Sequence, residues 1–178
     1  MNRNLTRTAV AAALLAALTA CSTNKPNPVP HQVSNGKAAA SAAPAAGKPV
    51  DASAAFTQIS GKVSSAKLSG SVTADNDPNH LLGRPNQYTS KITFADSRIA
   101  ATDVEGTDKG DVDRGGAIEA FASPADAQAR AKYIQAVTKA LSALSEYDYV
   151  HGTILVRVSH YLTPKQAAEY KIATDGLS

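Results

Sequence analysis

Between Ser22 and Ala55 lie 34 residues without a single leucine, isoleucine or aromatic side chain, and this stretch decides how the chain can fold. Its Ala, Pro, Ser, Asn, Lys and Gly residues offer too little apolar surface to offset the entropy of ordering them. A helix over Ala38–Ala46 is the alternative, but Pro44 and Gly47 oppose it. The segment reads as a flexible stalk, about 30–35 Å in root-mean-square length as a random coil. It divides the sequence into a leader (1–20), a tether (21–55) and one folded domain (56–178). About 120 residues are enough for a domain with its own core.

The leader carries Arg3 and Arg7 ahead of an uncharged apolar run, Ala9–Leu18. Ten residues of helix span about 15 Å, half of a hydrocarbon core, so the run cannot be a permanent membrane span. Its length and flanks fit an export signal. Leu18-Thr19-Ala20-Cys21 resembles the bacterial lipobox, in which small residues admit the signal peptidase and the cysteine thiolate takes up diacylglycerol. Cys21 is the only cysteine in 178 residues. A cysteine placed there by accident after an ordinary signal is the competing reading. Two acyl chains anchor a protein stably where one does not. The expected location is the extracytoplasmic face of the cell membrane, with the membrane itself a partner through the N-terminal lipid. Once lipidated, Cys21 leaves no thiol for a disulfide, a nucleophile or a zinc site.

The formal charge of +3 does not describe the domain. Arg3, Arg7, Lys25, Lys37 and Lys48 belong to leader and tether, and from Phe56 onward 13 Lys and Arg face 14 Asp and Glu. A nucleic-acid binder needs a basic patch or stripe, and none is visible, so no nucleic-acid partner is expected.

Within the domain, Ser123-Pro124-Ala125-Asp126 predicts a helix start: an N-cap serine, proline in the first turn and an acid at the third position. Ala127, Ala131, Ile134, Val137, Leu141 and Leu144 then recur at helical spacing. Thr163-Pro164-Lys165-Gln166 predicts a second, shorter helix to about Lys171. Alternation predicts strands over Tyr88–Ala95, with Ile92 and Phe94 inward and Lys91 and Thr93 outward, and over Val150–Ser159 as one half-buried strand. Ala117–Phe121 reads as a third strand, and Lys62–Thr73 as a weak strand or extended coil. The expected class is α+β. It comprises a small, at least partly antiparallel sheet with a long amphipathic helix and a short C-terminal helix, the helices packed on one face. The ferredoxin-like half-motif is one topology that fits.

Motifs for catalysis are missing. There is no G-x-S-x-G, H-E-x-x-H, P-loop or G-x-G-x-x-G, and the histidines (31, 80, 151, 160) match no triad spacing. Asp75-Asn76-Asp77-Pro78-Asn79 opens like a calcium loop. An EF-hand requires Gly at its sixth place and Glu at its twelfth, where this chain has His80 and Asn86. A turn is the better reading of those residues. The acidic stretch Asp103–Asp113 reads as a solvated hairpin connection. No catalytic residue, metal or cofactor is expected.

The most distinctive segment is Asn76–Lys91, N-D-P-N-H-L-L-G-R-P-N-Q-Y-T-S-K. It resembles a stretch that recurs in uncharacterised lipoproteins of actinobacteria, roughly N-D-P-N-x-L-L-G-R-P-x-x-Y-x-S-K. Ala127–Ile134 and Glu146–Tyr149 are similar to the same group. The likeness spans about residues 75–170 and implies a lipoprotein without implying an activity. Arg84, biased to an extended backbone by Pro85, could offer its fork to a carboxylate or phosphate. Arg84, Asn79 and Tyr88 are the candidate ligand or partner contacts. The competing reading pairs Arg84 with Asp77 or Asp96 and makes the loop structural. The leading expectation is a non-enzymatic binding or interaction module at the cell envelope, with an unidentified protein or small-molecule partner. A structural or prophage-encoded envelope factor and an enzyme are the other classes.

Overall fold

The structure is a computed structural model and describes residues 50–139 and 141–178. Cys21, the leader and the tether as far as residue 49 lie outside the described residues. Helix α2 (Pro124–Thr138) starts where the sequence predicts, with the Ser123 hydroxyl accepting from the Asp126 amide at 3.2 Å. Helix α3 (Pro164–Asp175) opens with a capping box. The Gln166 amide donates to Thr163 Oγ1 at 3.3 Å, while the Thr163 amide donates to Gln166 Oε1 at 2.9 Å. Each bond satisfies a backbone donor that a helix end leaves orphaned.

A third helix comes first in the described chain. Helix α1 (Ala52–Lys62) is capped by Asp51, whose carboxylate accepts from the Ala54 amide at 2.8 Å. Ala52, Ala55, Phe56 and Ile59 bury its inner face. Packed structure is therefore already present ahead of Phe56, and Val50 also lies against the core. The four alanines and serines before Phe56 looked like tether because their contribution is close approach, not apolar bulk.

Strands β1 (Ala66–Ser71), β2 (Ser90–Asp96), β3 (Gly115–Ala120), β4 (Glu146–His151) and β5 (Ile154–Ser159) form one sheet. Its order is β1-β2-β3-β5-β4, with every neighbouring pair antiparallel. The class is α+β, as expected. The single strand expected over Val150–Ser159 is instead the end of one strand and the whole of the next. Gly152, at φ +54°, turns the chain between them. Because β5 is antiparallel to both β3 and β4, β3 and β4 are parallel, and α2 crosses between them. This split β-α-β is the half-motif the element order suggested.

The expectation of helices on one face is corrected. α1 and α3 cover the face carrying Ile92, Phe94, Ile118, Val156 and Val158, where Phe94 stacks on Tyr170 at 5.4 Å and lies 5.9 Å from Phe56. α2 covers the other face, where Ala127, Ala131 and Ile134 pack with Leu155, Phe121 and Tyr88. Sheet positions that alternation marks as outward, such as Lys91, Thr93 and Glu119, are consequently buried. The predicted stripe holds only for its first half. α2 ends at Thr138, and Val137, Leu141 and Leu144 are exposed.

Asp96 ties β2 to α3. Its carboxylate accepts from Tyr170 Oη at 2.7 Å and Ser65 Oγ at 3.0 Å and pairs with Arg98 at 2.7 Å, while Arg98 reaches Glu169 at 2.6 Å. Burial favours the protonated acid, but the bonds from Arg98, Tyr170 and Ser65 outweigh it and hold the carboxyl below its ordinary range.

Candidate functional site

The site is built on the α2 face of the sheet. Lys91 on β2 and Glu119 on β3 are cross-strand partners, and Arg157 on β5 sits beyond them. Glu119 is fully buried and collects three cations: Lys91 Nζ at 3.1 Å, Arg130 Nε from α2 at 3.2 Å and Arg157 Nη1 at 3.3 Å. Arg157 also forks onto Glu146 of β4, with Nε to Oε1 at 2.8 Å and Nη2 to Oε2 at 2.9 Å. Burial would raise the Glu119 pKa, yet the charges of Lys91, Arg157 and Arg130 drive it below the ordinary range. A planar fork meeting a carboxylate on two bonds is strong and directional, so Arg157 positions Glu146.

Asp148 stands on the same face of β4, paired across the hairpin with Arg157 in register. Both its carboxyl oxygens are shut off from solvent and neither has a hydrogen-bond partner among the described residues. Burial, and then the charge of neighbouring Glu146, push the pKa up to about 8 despite Arg157. The folded state thus holds a proton that the unfolded chain releases near pH 4. Asp148 contributes stability that is full below about pH 4 and is lost as pH rises towards 8. Asp148→Asn cannot ionise and should be more stable than the wild type at pH 8. Allowing for solvent screening at the β4 edge, the gain is about 1–3 kcal/mol, shrinking towards zero by pH 4. Urea unfolding of both proteins at the two pH values measures it, and an equal difference at each would show that Asp148 is ionised throughout.

The Asn76–Lys91 segment forms the wall facing this network. Its centre is Asp77, which is buried and accepts four bonds: from the amides of Asn79 (3.2 Å), Leu81 (2.8 Å) and Leu82 (2.9 Å), and from Tyr88 Oη (2.7 Å). Burial alone would raise its pKa, but the Tyr88 hydroxyl and the Leu82, Leu81 and Asn79 amides hold it at about 2. The tight path places His80 (φ +52°), Gly83 (φ +75°) and Asn86 (φ +61°) in the left-handed region.

The three contacts expected from the sequence separate here. Asn79 is exposed and lines the cleft described below. Tyr88 is wholly buried, its ring edge-on to Phe121 at 6.3 Å and its hydroxyl spent on Asp77, so it cannot touch a ligand. This corrects its assignment. Arg84 is exposed beside a small hollow of about 230 Å³ that also borders Asp77, His80 and Leu82. Its side chain forms no ion pair among the described residues, and the two acids proposed as its partners are saturated by other donors. Arg84 therefore does not brace the loop.

Between the loop wall and α2 runs a cleft of about 790 Å³. Arg130, Arg157 and Glu146 bring the buried network to its lining, and Ile134, Val137 and Leu144 give an apolar side. Asp111 and Asp113, in the stretch read from the sequence as a solvated hairpin connection, line the cleft as well. The Asp113 pKa is raised by burial and by the neighbouring charges of Asp111 and Glu146, with His160 opposing. None of Glu119, Arg130, Glu146, Asp148 and Arg157 was expected from the sequence as a site residue, although Arg130, Glu146 and Asp148 lie in the segments Ala127–Ile134 and Glu146–Tyr149 noted above. The available signal was a set of opposite charges at one phase of alternation on adjacent strands. No protein-family model, curated protein or solved structure matches the chain.

Proposed function

We propose that this protein is a lipoprotein held at the extracytoplasmic face of the cell membrane through Cys21, and that its domain is a binding module rather than an enzyme. The observation that carries the binding half is the cleft. Its volume of about 790 Å³ lies within the range of ligand sites, roughly 300–1,000 Å³. One side is apolar, and a rigid charged network backs the other. Such a lining orients an occupant, and its two guanidinium groups, Arg130 and Arg157, are already committed to Glu119 and Glu146. The lipobox and the likeness of residues 76–91 to actinobacterial lipoproteins support the anchoring half.

Each half has its own measurement. Cys21→Ser should shift the protein from the detergent-extracted membrane fraction to the soluble one, with signal processing followed by mass. A wild-type chain recovered as soluble cytoplasmic protein would defeat the anchoring half. For the cleft, backbone NMR of the mature Cys21→Ser chain is followed while envelope extract is added. Shifts centred on Asn86, Gln87, Tyr133 and Val137 are expected, and shifts confined to the α1–α3 face would place binding elsewhere.

A further inference from the structure

The cleft is unevenly charged. Four carboxylates line it (Asp111, Asp113, Asp126, Glu146) against two guanidinium groups, Arg130 and Arg157. The cations are already compensated. Arg157 spends all three nitrogens on Glu146 and Glu119, and Arg130 is held by Glu119. Beside Asp113 compensation fails. Among the described residues the Asp113 carboxylate has only His160 Nδ1 at 3.6 Å, too long for a hydrogen bond, and that nitrogen is itself buried without a partner. A cation is the charge this part of the lining lacks.

The cleft is also apolar along its length. Ile134 is a buried part of its lining, and Val137 and Leu144 remain 42% and 53% exposed among the described residues. Leu141, three residues before Leu144 in the chain, is equally exposed. On the opposite wall the side-chain amides of Asn86 and Gln87 line the cleft and have no hydrogen-bond partner among the described residues. An amide offers both a donor and an acceptor, matching the two groups of a peptide unit.

We infer that the cleft is a docking groove for an extended segment of a partner protein, which sets a lysine or arginine side chain against Asp111 and Asp113 and an apolar neighbour on Val137 and Leu144. The inference rests on the cleft being the binding site proposed above and names its occupant. Apolar contact supplies the area, and the acidic pair selects the register, since burying an uncompensated like charge there is costly.

The test uses the mature Cys21→Ser chain and three end-blocked tripeptides: leucyl-lysyl-leucine and its counterparts with norleucine or glutamate at the centre. The lysine peptide should bind about tenfold more tightly than the norleucine peptide, and the glutamate peptide more weakly still. Raising salt to 0.5 M should shrink that preference several-fold, because the carboxylates are partly exposed. Asp111→Asn with Asp113→Asn should erase the preference while leaving norleucine binding intact. Val137→Ala should weaken all three peptides alike. Equal binding of the three, or tighter binding of glutamate, overturns the cationic assignment. If no tripeptide moves the cleft resonances although envelope extract does, the peptide occupant is wrong and the cleft reading survives. If neither moves them, both fall.

Discussion

Glu119→Gln should destabilise the domain by about 3–5 kcal/mol, the range found when one partner of a buried ion cluster is removed. Glutamine keeps the shape and one acceptor, so the loss reports charge. Lys91, Arg130 and Arg157 would face Glu146 as their only ionised partner within the network. The check is a double-mutant cycle with Lys91→Met, read by urea unfolding. Removing a cation from the already anion-depleted cluster should recover part of the loss. A cost near zero for Glu119→Gln would mean that solvent, not Glu119, compensates the three cations. The pH dependence has a definite sign. The carboxyls of Glu119, Asp96 and Asp77 are depressed on folding, so their stabilisation is present above about pH 4 and disappears as pH falls. Asp148 acts in the opposite direction up to about pH 8. The stability maximum should therefore sit on the acid side of neutrality, and Asp148→Asn should move it upward.

Asp77→Ala should cost about 3 kcal/mol, because it strands three amides and a buried hydroxyl at once. Tyr88→Phe removes only one of the four donors and should cost about 1 kcal/mol. The two variants differ in kind as well as size. Asp77→Ala frees the path from Asn79 to Leu82 and should raise amide exchange at Leu81 and Leu82 well above the rest of the domain. With the wall of the cleft loosened, affinity for any occupant should fall, whereas Tyr88→Phe should leave it nearly intact. Thermal unfolding and residue-resolved exchange on the same samples make the comparison. Unchanged protection at Leu81 and Leu82 in Asp77→Ala would show that the loop is held by its turns rather than by the carboxylate.

The parts of this fold that were legible are those written locally. The starts of α2 and α3 depend on residues three apart, Ser123 with Asp126 and Thr163 with Gln166, and both could be read off directly. Failures came where a local pattern had two meanings. Val150, Gly152 and Ile154 keep the alternation of one strand, yet Gly152 is where the chain reverses, because only its conformation permits the turn. Ala52 and Ala55 have the composition of a tether and the burial of a helix core. Alternation also assigns Lys91 and Arg157 to solvent, which would hold for a sheet covered on one side. α2 covers that side, so the same charges had to find one another across three strands and a helix. That network has no sequence separation short enough to show as a motif. Asp77 was visible as a turn residue, but its role as a fourfold acceptor depends on Tyr88, eleven residues on.

The order β1-β2-β3-β5-β4 also bears on how the chain is made. A ribosome delivers β4 before β5, yet β4 meets the sheet only through β5. Until residues 154–159 emerge, β3 has no partner on one side and β4 none at all. Leu155, Val156 and Val158 then complete the cores on both faces, and Tyr170 and Ala173 of α3 follow last. Strands β1 to β3 can pair as they emerge, but the sheet is completed only when roughly the final seventh of the sequence has been made. If the chain is exported as proposed above, that delay keeps it threadable for as long as it is being synthesised.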